Sequence, residues 1–262
     1  MNILVTLKQV ANPDISPSHI QLDPAGKRIV SPFGIPPVMN GYDANALEEA
    51  LRLREKHGGK VTALGLGDDT SRESLKCAIA MGADTAILIN DPDLLNADSA
   101  GVGRALAAAI RKIDDFDLIL CGRQASDTDG GQVLHWIAET LDLPAVSPIV
   151  RIEAVDGRHL TVHRLIEDGY QRLRVELPAL LGVSSEINEP RFPTMRGTMA
   201  AGRAMIPGWK ASDLGLQPFT PKVELRQLQI QLRTSKADLI EGNSAAEQGA
   251  ALANKLHDLG LI

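Results

Sequence analysis

Excess positive charge, long apolar runs and paired cysteines are all missing from this chain, and each absence argues against a class of protein. The 262 residues carry a formal net charge of −6, which provides no positive field to attract a nucleic acid. No apolar run approaches the ~20 residues of a membrane-spanning helix. Cys77 and Cys121 lack metal-site spacing, and an apolar strand begins at Ile3 without a charged leader. We therefore expect a cytoplasmic protein with two core thiols.

Motifs of common nucleotide-dependent and hydrolytic enzymes are also missing. Residues 8–11 read Lys-Gln-Val-Ala after the first strand, not Gly-x-Gly-x-x-Gly, and no Walker motif occurs, which disfavours nicotinamide and triphosphate chemistry. Ser126 lies outside any Gly-x-Ser-x-Gly elbow, so a hydrolase is disfavoured. His159 and His163 are too far apart along a strand to chelate a metal readily, and we interpret them as solvated.

The first half of the chain alternates apolar strands with amphipathic helices. Parallel strands need helix-length crossovers, so this order predicts a doubly wound, mainly parallel sheet whose ligands lie beyond the carboxyl ends of the strands. In the first long helix we expect Asp43 or Asn45 as the cap, with Glu48 and Glu49 on the solvent face. The predicted strands are 3–7, 61–66, 85–89 and 118–121, and the predicted helices are 43–57, 70–81 and 98–113, with a further helix after residue 132.

The second half predicts an antiparallel extension followed by an arm. Asp156-Gly157 between two alternating runs indicates a hairpin, and residues 170–177 and 179–183 are expected to extend it. A smaller hairpin is predicted at residues 19–30. Residues 188–199 contain two prolines and are expected to form a loop, with at most a helical turn at 200–204. A strand at 223–232 and a helix at 244–259 complete a tail that we expect to pack on another protein. The predicted domains are residues 1–187 and 188–262.

The most informative stretch is residues 118–133. It passes from an apolar strand, through a loop of small and acidic residues, into a helix that contains Trp136 and Ile137. Unpaired amides at a helix start, approached through glycines, can hold a nucleotide phosphate. Three more segments fall at strand ends, namely 6–9, 40–43 and 66–68, so the sequence predicts a nucleotide crevice. Asp127 and Asp129 would suit an acid/base pair or Mg²⁺, but we favour ribose and loop-capping roles.

Several segments, in colinear order over nearly the whole chain, together resemble the β subunit of electron-transfer flavoprotein. Each is modest alone, and their combination is specific. They are LVTLKQV at residues 4–10, Met39-Asn40 followed by ALEEA at 46–50, AMGAD at 80–84, GRQA at 122–125 with Asp127 and Asp129, and INEPR at 187–191.

The resemblance implies an α/β, adenine-nucleotide α-hydrolase-like fold that binds AMP and does no bond-making chemistry itself. An α subunit would hold most of the FAD. Glu189, Pro190 and Arg191 would begin a recognition loop, with Met195 as the apolar anchor for a flavoprotein dehydrogenase of acyl-CoA or amine type, and a quinone reductase or other acceptor would take the electrons. The implied cofactor-binding residues are Thr6, Asn40, Gly41, Tyr42, Asp43, Leu66, Gly67, Gly122, Arg123, Gln124, Ala125, Asp127, Thr128, Asp129, Gly130, Gly131, Gln132 and Val133.

Two alternatives stay open. Electron-bifurcating members hold a second FAD in place of AMP and carry a Thr-Ala-Gln-Val-Gly-Pro pattern, of which residues 130–135 here keep only Gln-Val. A stand-alone adenine-nucleotide-binding protein of the universal-stress or nucleotidyl-transfer type would share the same sheet. We favour the AMP-binding carrier, because an arm and a final helix after a complete α/β body are well suited to wrapping a partner.

Overall fold

The computed structural model describes residues 1–230 and 237–262, which divide into two compact units. The first unit is Met1–Leu228 and the second is Gln229–Ile262. Within the described residues, no helix combines the length and the apolar character needed to cross a bilayer. The predicted domain boundary at residue 187 stays a prediction.

The first unit is built on a mainly parallel sheet with helices on both faces. The strands are β1 Ile3–Leu7, β2 Gln9–Val10, β3 Gln21–Leu22, β4 Ile29–Val30, β5 Val38–Met39, β6 Val61–Leu66, β7 Thr85–Ile89, β8 Leu118–Gly122, β9 Ala145–Asp156, β10 His159–Ile166, β11 Gly169–Glu176, β12 Ala179–Val183 and β13 Gly208–Trp209. The helices are α1 Gly41–His57, α2 Arg72–Met81, α3 Ser99–Ile113, α4 Val133–Leu141, α5 Met195–Arg203 and, in the second unit, α6 Ala245–Asp258.

The strand order of the main sheet is β11-β10-β9-β12-β8-β1-β6-β7-β13. β1 lies at its centre, in parallel with β6 on one side and β8 on the other. Its alternating side chains enter two separate cores, Val5 against α1 and α2, and Leu4 against α3 and α4. The predicted fold class, a doubly wound sheet with an antiparallel extension, is confirmed.

One predicted strand belongs to a different part of the sheet. β12 was expected to continue the antiparallel extension, but it pairs in parallel with both β8 and β9. Its five residues are all buried, because helices cover both faces of the sheet there. The antiparallel part is therefore limited to the later part of β9 with β10 and β11.

The segment predicted as a loop contains a helix. α5 begins at Met195, where the Thr194 hydroxyl accepts a hydrogen bond from the Gly197 N–H at 2.9 Å. Gly197 packs directly on α2, since a Cβ there would lie 2.1 Å from the Ala80 carbonyl oxygen. Gly197 and the buried Ala201 form a narrow contact face, too short for the apolar periodicity by which a helix is predicted.

Part of the predicted partner-wrapping tail packs on this chain instead. β13 pairs with β7, and the N–H groups of Lys222 and Val223 donate to the Asp98 carboxylate. The strand predicted at 223–232 is wrong for residues 223–230, which form no strand, and residues 231–232 lie outside the described part. In the second unit, the predicted final helix is confirmed as α6.

Close packing of α3 on α4 generates a prediction about stability. A Cβ on Gly103 would lie 2.4 Å from the Cβ of Trp136, so the helices must separate to accept even an alanine. We expect Gly103→Ala to lower the free energy of unfolding by roughly 1–3 kcal/mol. Gly202→Ala is the matched control, because a Cβ there meets nothing within 4 Å and alanine favours a helix. Equal urea midpoints for the two variants would contradict this packing argument.

Candidate functional site

The residues before and within the first turn of α1 connect two strand ends. Asn40 is buried, and its Nδ2 donates to the Gln124 carbonyl oxygen at 2.9 Å. Its Oδ1 accepts from the Ser126 N–H at 3.1 Å, and its own N–H donates to the Lys8 carbonyl oxygen at 2.9 Å. Asn40 therefore fixes the loop after β8 against the end of β1.

Asp43 makes a second connection between the ends of β1 and β8. One carboxylate oxygen accepts from the Lys8 N–H at 2.7 Å, and the other accepts from the Gly122 N–H at 3.1 Å. The expectation that Asp43 or Asn45 caps α1 is wrong, since the Asp43 carboxylate accepts from the two strand ends and the Asn45 amide donates to Asn188. Gly122 is required here, because a Cβ would lie 2.3 Å from Asp43 Oδ1.

Burial changes the pKa of two side chains near these strand ends. It raises the pKa of Asp43 to about 7, against the lowering effect of the Lys8 and Gly122 N–H donors and of Asn40. Burial also raises the pKa of the Cys121 thiol to about 12. Cys121 is thus an unreactive core residue, because its apolar environment keeps the thiol protonated.

The loop after β8 is held together by its own acidic side chains. Asp127 forms an ion pair with Lys8 at 2.7 Å, and Asp129 accepts from Gln124 Nε2 at 2.8 Å. The N–H groups of Thr128 and Asp129 both donate to the Ala125 carbonyl oxygen. Both carboxylates therefore have loop-holding contacts. Among the described residues, no group of three or more metal-ligating side chains is suitably placed for a metal ion.

At the start of α4 the backbone donors are open. Gln132 gives no side-chain cap, and within residues 1–230 and 237–262 the N–H groups of residues 130–134 have no hydrogen-bond partner. Gly131 has φ +59°, and a Cβ on Gly130 would meet no atom within 4 Å. A helix start with unpaired donors beside two glycines is suited to holding an anion such as a phosphate.

The remaining predicted crevice residues lie at the same edge of the sheet. Thr6 is buried in β1, and Leu66 ends the neighbouring strand β6. A Cβ on Gly67 would lie 2.1 Å from Ser71 Oγ, so the chain passes tightly there. The Arg123 guanidinium lies over the Tyr42 ring at 5.3 Å, and its Nε is buried without a hydrogen-bond partner in the part of the chain that the structure describes. An unpaired buried donor in a crevice fits a site that takes a polar ligand.

The segment that contains the predicted recognition loop, residues 188–206, is called the docking segment below, and it contacts α1 beyond the first turn of that helix. Arg191 pairs with Glu48 at 2.7 Å and with Glu55, and Asn188 Nδ2 donates to Glu49 Oε2 at 3.1 Å. Glu48 and Glu49 are buried, so their predicted place on the solvent face is wrong. The sequence pattern missed these contacts because the residues that cover them come about 140 positions later.

The predicted docking residues differ in exposure. Glu189 is exposed and Pro190 is half-buried, whereas Met195 keeps 84% of its surface exposed and Phe192 keeps 90%. Large apolar side chains that are this exposed, within four residues of sequence, are typical of an interaction surface.

His163 also differs from its prediction as a solvated side chain. Its Nε2 lies 2.9 Å from Glu153, and its ring stacks on Tyr170 with centroids 4.3 Å apart. Glu153 accepts from Arg172 as well, and these two hydrogen bonds, Arg172's first, lower the pKa of Glu153 to about 2. This cluster stabilises the antiparallel strands and lies outside the crevice.

Comparison with known proteins gives one consistent family. The model of the electron transfer flavoprotein domain matches residues 31–214. The chain is 43% identical to the electron transfer flavoprotein subunit beta of Thermoanaerobacterium thermosaccharolyticum, over 77% of this chain and 75% of the relative. It is 35% identical to the caffeyl-CoA reductase-Etf complex subunit CarD of Acetobacterium woodii over the full length of both, and 34% identical to protein FixA of Azorhizobium caulinodans over 97% and 93%.

The raised pKa of Asp43 predicts a specific pH dependence. Between about pH 4 and pH 7 the folded state holds a proton on Asp43 that the unfolded state has lost, so this carboxyl favours folding at low pH and the benefit disappears as pH rises. Asp43→Asn cannot titrate. We expect the difference in unfolding free energy between wild type and Asp43→Asn to shrink from pH 5 to pH 8, by at most about 1.4 kcal/mol per pH unit. Urea titrations at four pH values measure it, and parallel or diverging curves would contradict the assignment.

Proposed function

The chain belongs to the electron transfer flavoprotein family, among its β subunits, and we propose that it is the AMP-binding half of a heterodimeric electron carrier. The family carries electrons between proteins. In this proposal the chain makes and breaks no covalent bonds of a substrate. It shapes a nucleotide crevice, joins an α subunit and presents a docking surface to a dehydrogenase.

The observation that carries the proposal is the set of open backbone donors at the start of α4. Residues 130–134 offer N–H groups that have no partner among the described residues, at a helix start that favours negative charge. Lys8 already pairs with Asp127, so its charge is not free for a ligand, whereas the Nε of Arg123 has no hydrogen-bond partner among the described residues. An AMP phosphate bound by main-chain donors suits these residues.

AMP is favoured over a second FAD by the composition of the same loop. Residues 130–135 read Gly-Gly-Gln-Val-Leu-His and keep only Gln-Val of the pattern that accompanies FAD in electron-bifurcating members. The hydrogen bonds of Asn40 to the loop, and of the Gly122 N–H to Asp43, would keep the loop after β8 in place beside the phosphate. The crevice would thus have a structural rather than a redox occupant.

The redox cofactor of the proposed heterodimer is FAD, held mainly by the α subunit. FAD supplies the capacity to accept and release electrons when it is bound. The second unit of this chain would bind the α subunit. Leu252 and Leu259 are exposed on α6 and at its end, and no residue of the helix is buried. A helix that packs so little of its own apolar surface is suited to a partner groove.

The donor side of the proposal is the surface at α5. Met195 is exposed on the first turn of α5, which Gly197 fixes against α2, and Phe192 is exposed three residues before it. A flexible thioether fits pockets of different shape, which suits a carrier that meets a flavoprotein dehydrogenase of acyl-CoA or amine type. Electrons would then leave toward a quinone reductase or another acceptor.

Gly131→Leu tests the nucleotide crevice. A leucine at φ +59° is strained, and its side chain would occupy space beside the open amides. We expect the AMP content of the purified heterodimer to fall at least about tenfold while FAD is retained. Gly157→Leu is the matched control, because Gly157 has φ +57° in the β9–β10 turn and meets nothing within 4 Å. Unchanged AMP content in Gly131→Leu would rule out this location.

Met195→Ala tests the docking surface. Truncation of an interface anchor lowers partner affinity by roughly tenfold or more without unfolding the protein. We expect slower flavin reduction by the donor dehydrogenase at subsaturating concentration, with FAD and AMP contents unchanged. Met205→Ala is the control, because Met205 is 94% exposed but follows α5. If Met195→Ala and wild type react at equal rates, or both variants slow equally, Met195 is not the anchor.

A further inference from the structure

The docking segment is fixed at three points. At its start, Asn188 exchanges hydrogen bonds with Asn45, at 2.8 Å and 3.1 Å. In the middle, Gly197 abuts the end of α2. At its end, Arg72 Nη1 donates to the Ile206 carbonyl oxygen at 2.6 Å. Between the first two points stands Arg191, one residue before the exposed Phe192.

Arg191 bridges two carboxylates that are two turns apart on α1. Its Nε donates to Glu48 at 2.7 Å and its Nη1 donates to Glu55, while its own N–H donates to Glu48 at 3.2 Å. Residues seven apart lie on one helix face, so the planar guanidinium lies along α1 and makes contacts that a point charge could not.

The inner carboxylate depends on this contact. The Glu48 side chain is only 4% exposed, and burial alone would raise its pKa. The hydrogen bonds from Arg191 and Arg52 hold the pKa of Glu48 below its usual value instead. Arg52 bonds one Glu48 oxygen from within α1, whereas the other oxygen accepts from the Nε and the N–H of Arg191. A buried carboxylate oxygen that loses its donors is costly, so Glu48 favours the backbone position that brings Arg191 to it.

We propose that Arg191 is a positioning residue for docking: its bridge to Glu48 and Glu55 sets the direction in which Phe192 and Met195 face the dehydrogenase, and Arg191 does not itself contact that protein. The inference rests on the proposed function of the α5 surface as the donor docking site. It assigns Arg191 an internal role, unlike Glu189, whose side chain is exposed and whose main-chain carbonyl oxygen accepts from Arg52 Nη2 at 3.4 Å.

Arg191→Lys and Glu55→Gln test the proposal in the intact heterodimer. Lysine keeps the charge beside Glu48 but cannot bridge both carboxylates, and Glu55→Gln weakens only the exposed end of the bridge. With reduced acyl-CoA dehydrogenase as donor, we expect KM for the donor to rise roughly tenfold in Arg191→Lys and about threefold in Glu55→Gln, with kcat changed less than about twofold. Direct reduction by dithionite should match wild type. Arg172→Lys is the matched control, because Arg172 also makes two hydrogen bonds to one carboxylate, that of Glu153, but lies on β11, at the opposite edge of the main sheet from β13.

A background that lacks both exposed side chains separates positioning from direct contact. If Arg191 acts only by positioning Phe192 and Met195, Arg191→Lys in the Phe192→Ala/Met195→Ala background should raise KM by less than about twofold further. A full tenfold multiplication would mean that Arg191 touches the donor, and this result would overturn the proposal. Unchanged KM in Arg191→Lys would overturn it as well.

Hydrogen exchange provides a readout that needs no donor. We expect amides of α5 to exchange about tenfold faster in Arg191→Lys, whereas amides of α3 stay as in wild type. Unchanged exchange in α5 would overturn the proposal. If the wild-type heterodimer accepts electrons from neither acyl-CoA nor amine dehydrogenases, the proposed function fails, and the exchange result still decides whether Arg191 holds α5.

Discussion

A row of buried polar side chains along α1 is the constraint on which the rest of the site depends. Asn40, Asp43, Asn45 and Glu48 are all buried, and each is satisfied by a segment far away in the sequence. Leaving a buried polar group without a partner costs more free energy than its hydrogen bond contributes when formed. These four residues therefore define where the segments must lie. One helix thereby holds the loop after β8 at its start and the docking segment further along.

This arrangement connects the two proposed sites through one rigid element. The loop after β8 is held by Asn40 and Asp43, and the docking segment is held by Asn45 and Glu48. Rigid elements position functional groups better than loops do, because their side chains are fixed by packing. In our proposal, AMP completes the first of these sites without redox chemistry, and a dehydrogenase meets the second.

The strands and long helices were predictable because their signals are local. β1, β6 and β7 fall at the predicted residues, and the Asp156-Gly157 hairpin is confirmed. The nucleotide crevice also follows from such signals, since the carboxyl ends of parallel strands share an edge. Its occupant and its residue roles stay predictions.

Long-range contacts explain what the sequence pattern missed. Glu48 reads as a solvent-facing charge on an amphipathic helix until Arg191 covers it. α5 reads as a loop because its contact face is Gly197 and Ala201, which carry no periodic apolar signal. The sequence places β12 in a meander because its two parallel partners are not its neighbours in sequence. β8 lies far earlier in the chain, and β10 and β11 separate β9 from β12. In each case the deciding neighbour lies elsewhere in the chain.

The nucleotide content of the native complex tests the account most directly. The chain is purified with the α subunit that copurifies with it, the nucleotides are released by denaturation, and adenine and flavin are quantified by chromatography. One FAD and one AMP per heterodimer is the predicted result. Two FAD per heterodimer would contradict the structural role of the crevice, and a homo-oligomer of this chain without an α subunit would contradict the carrier itself.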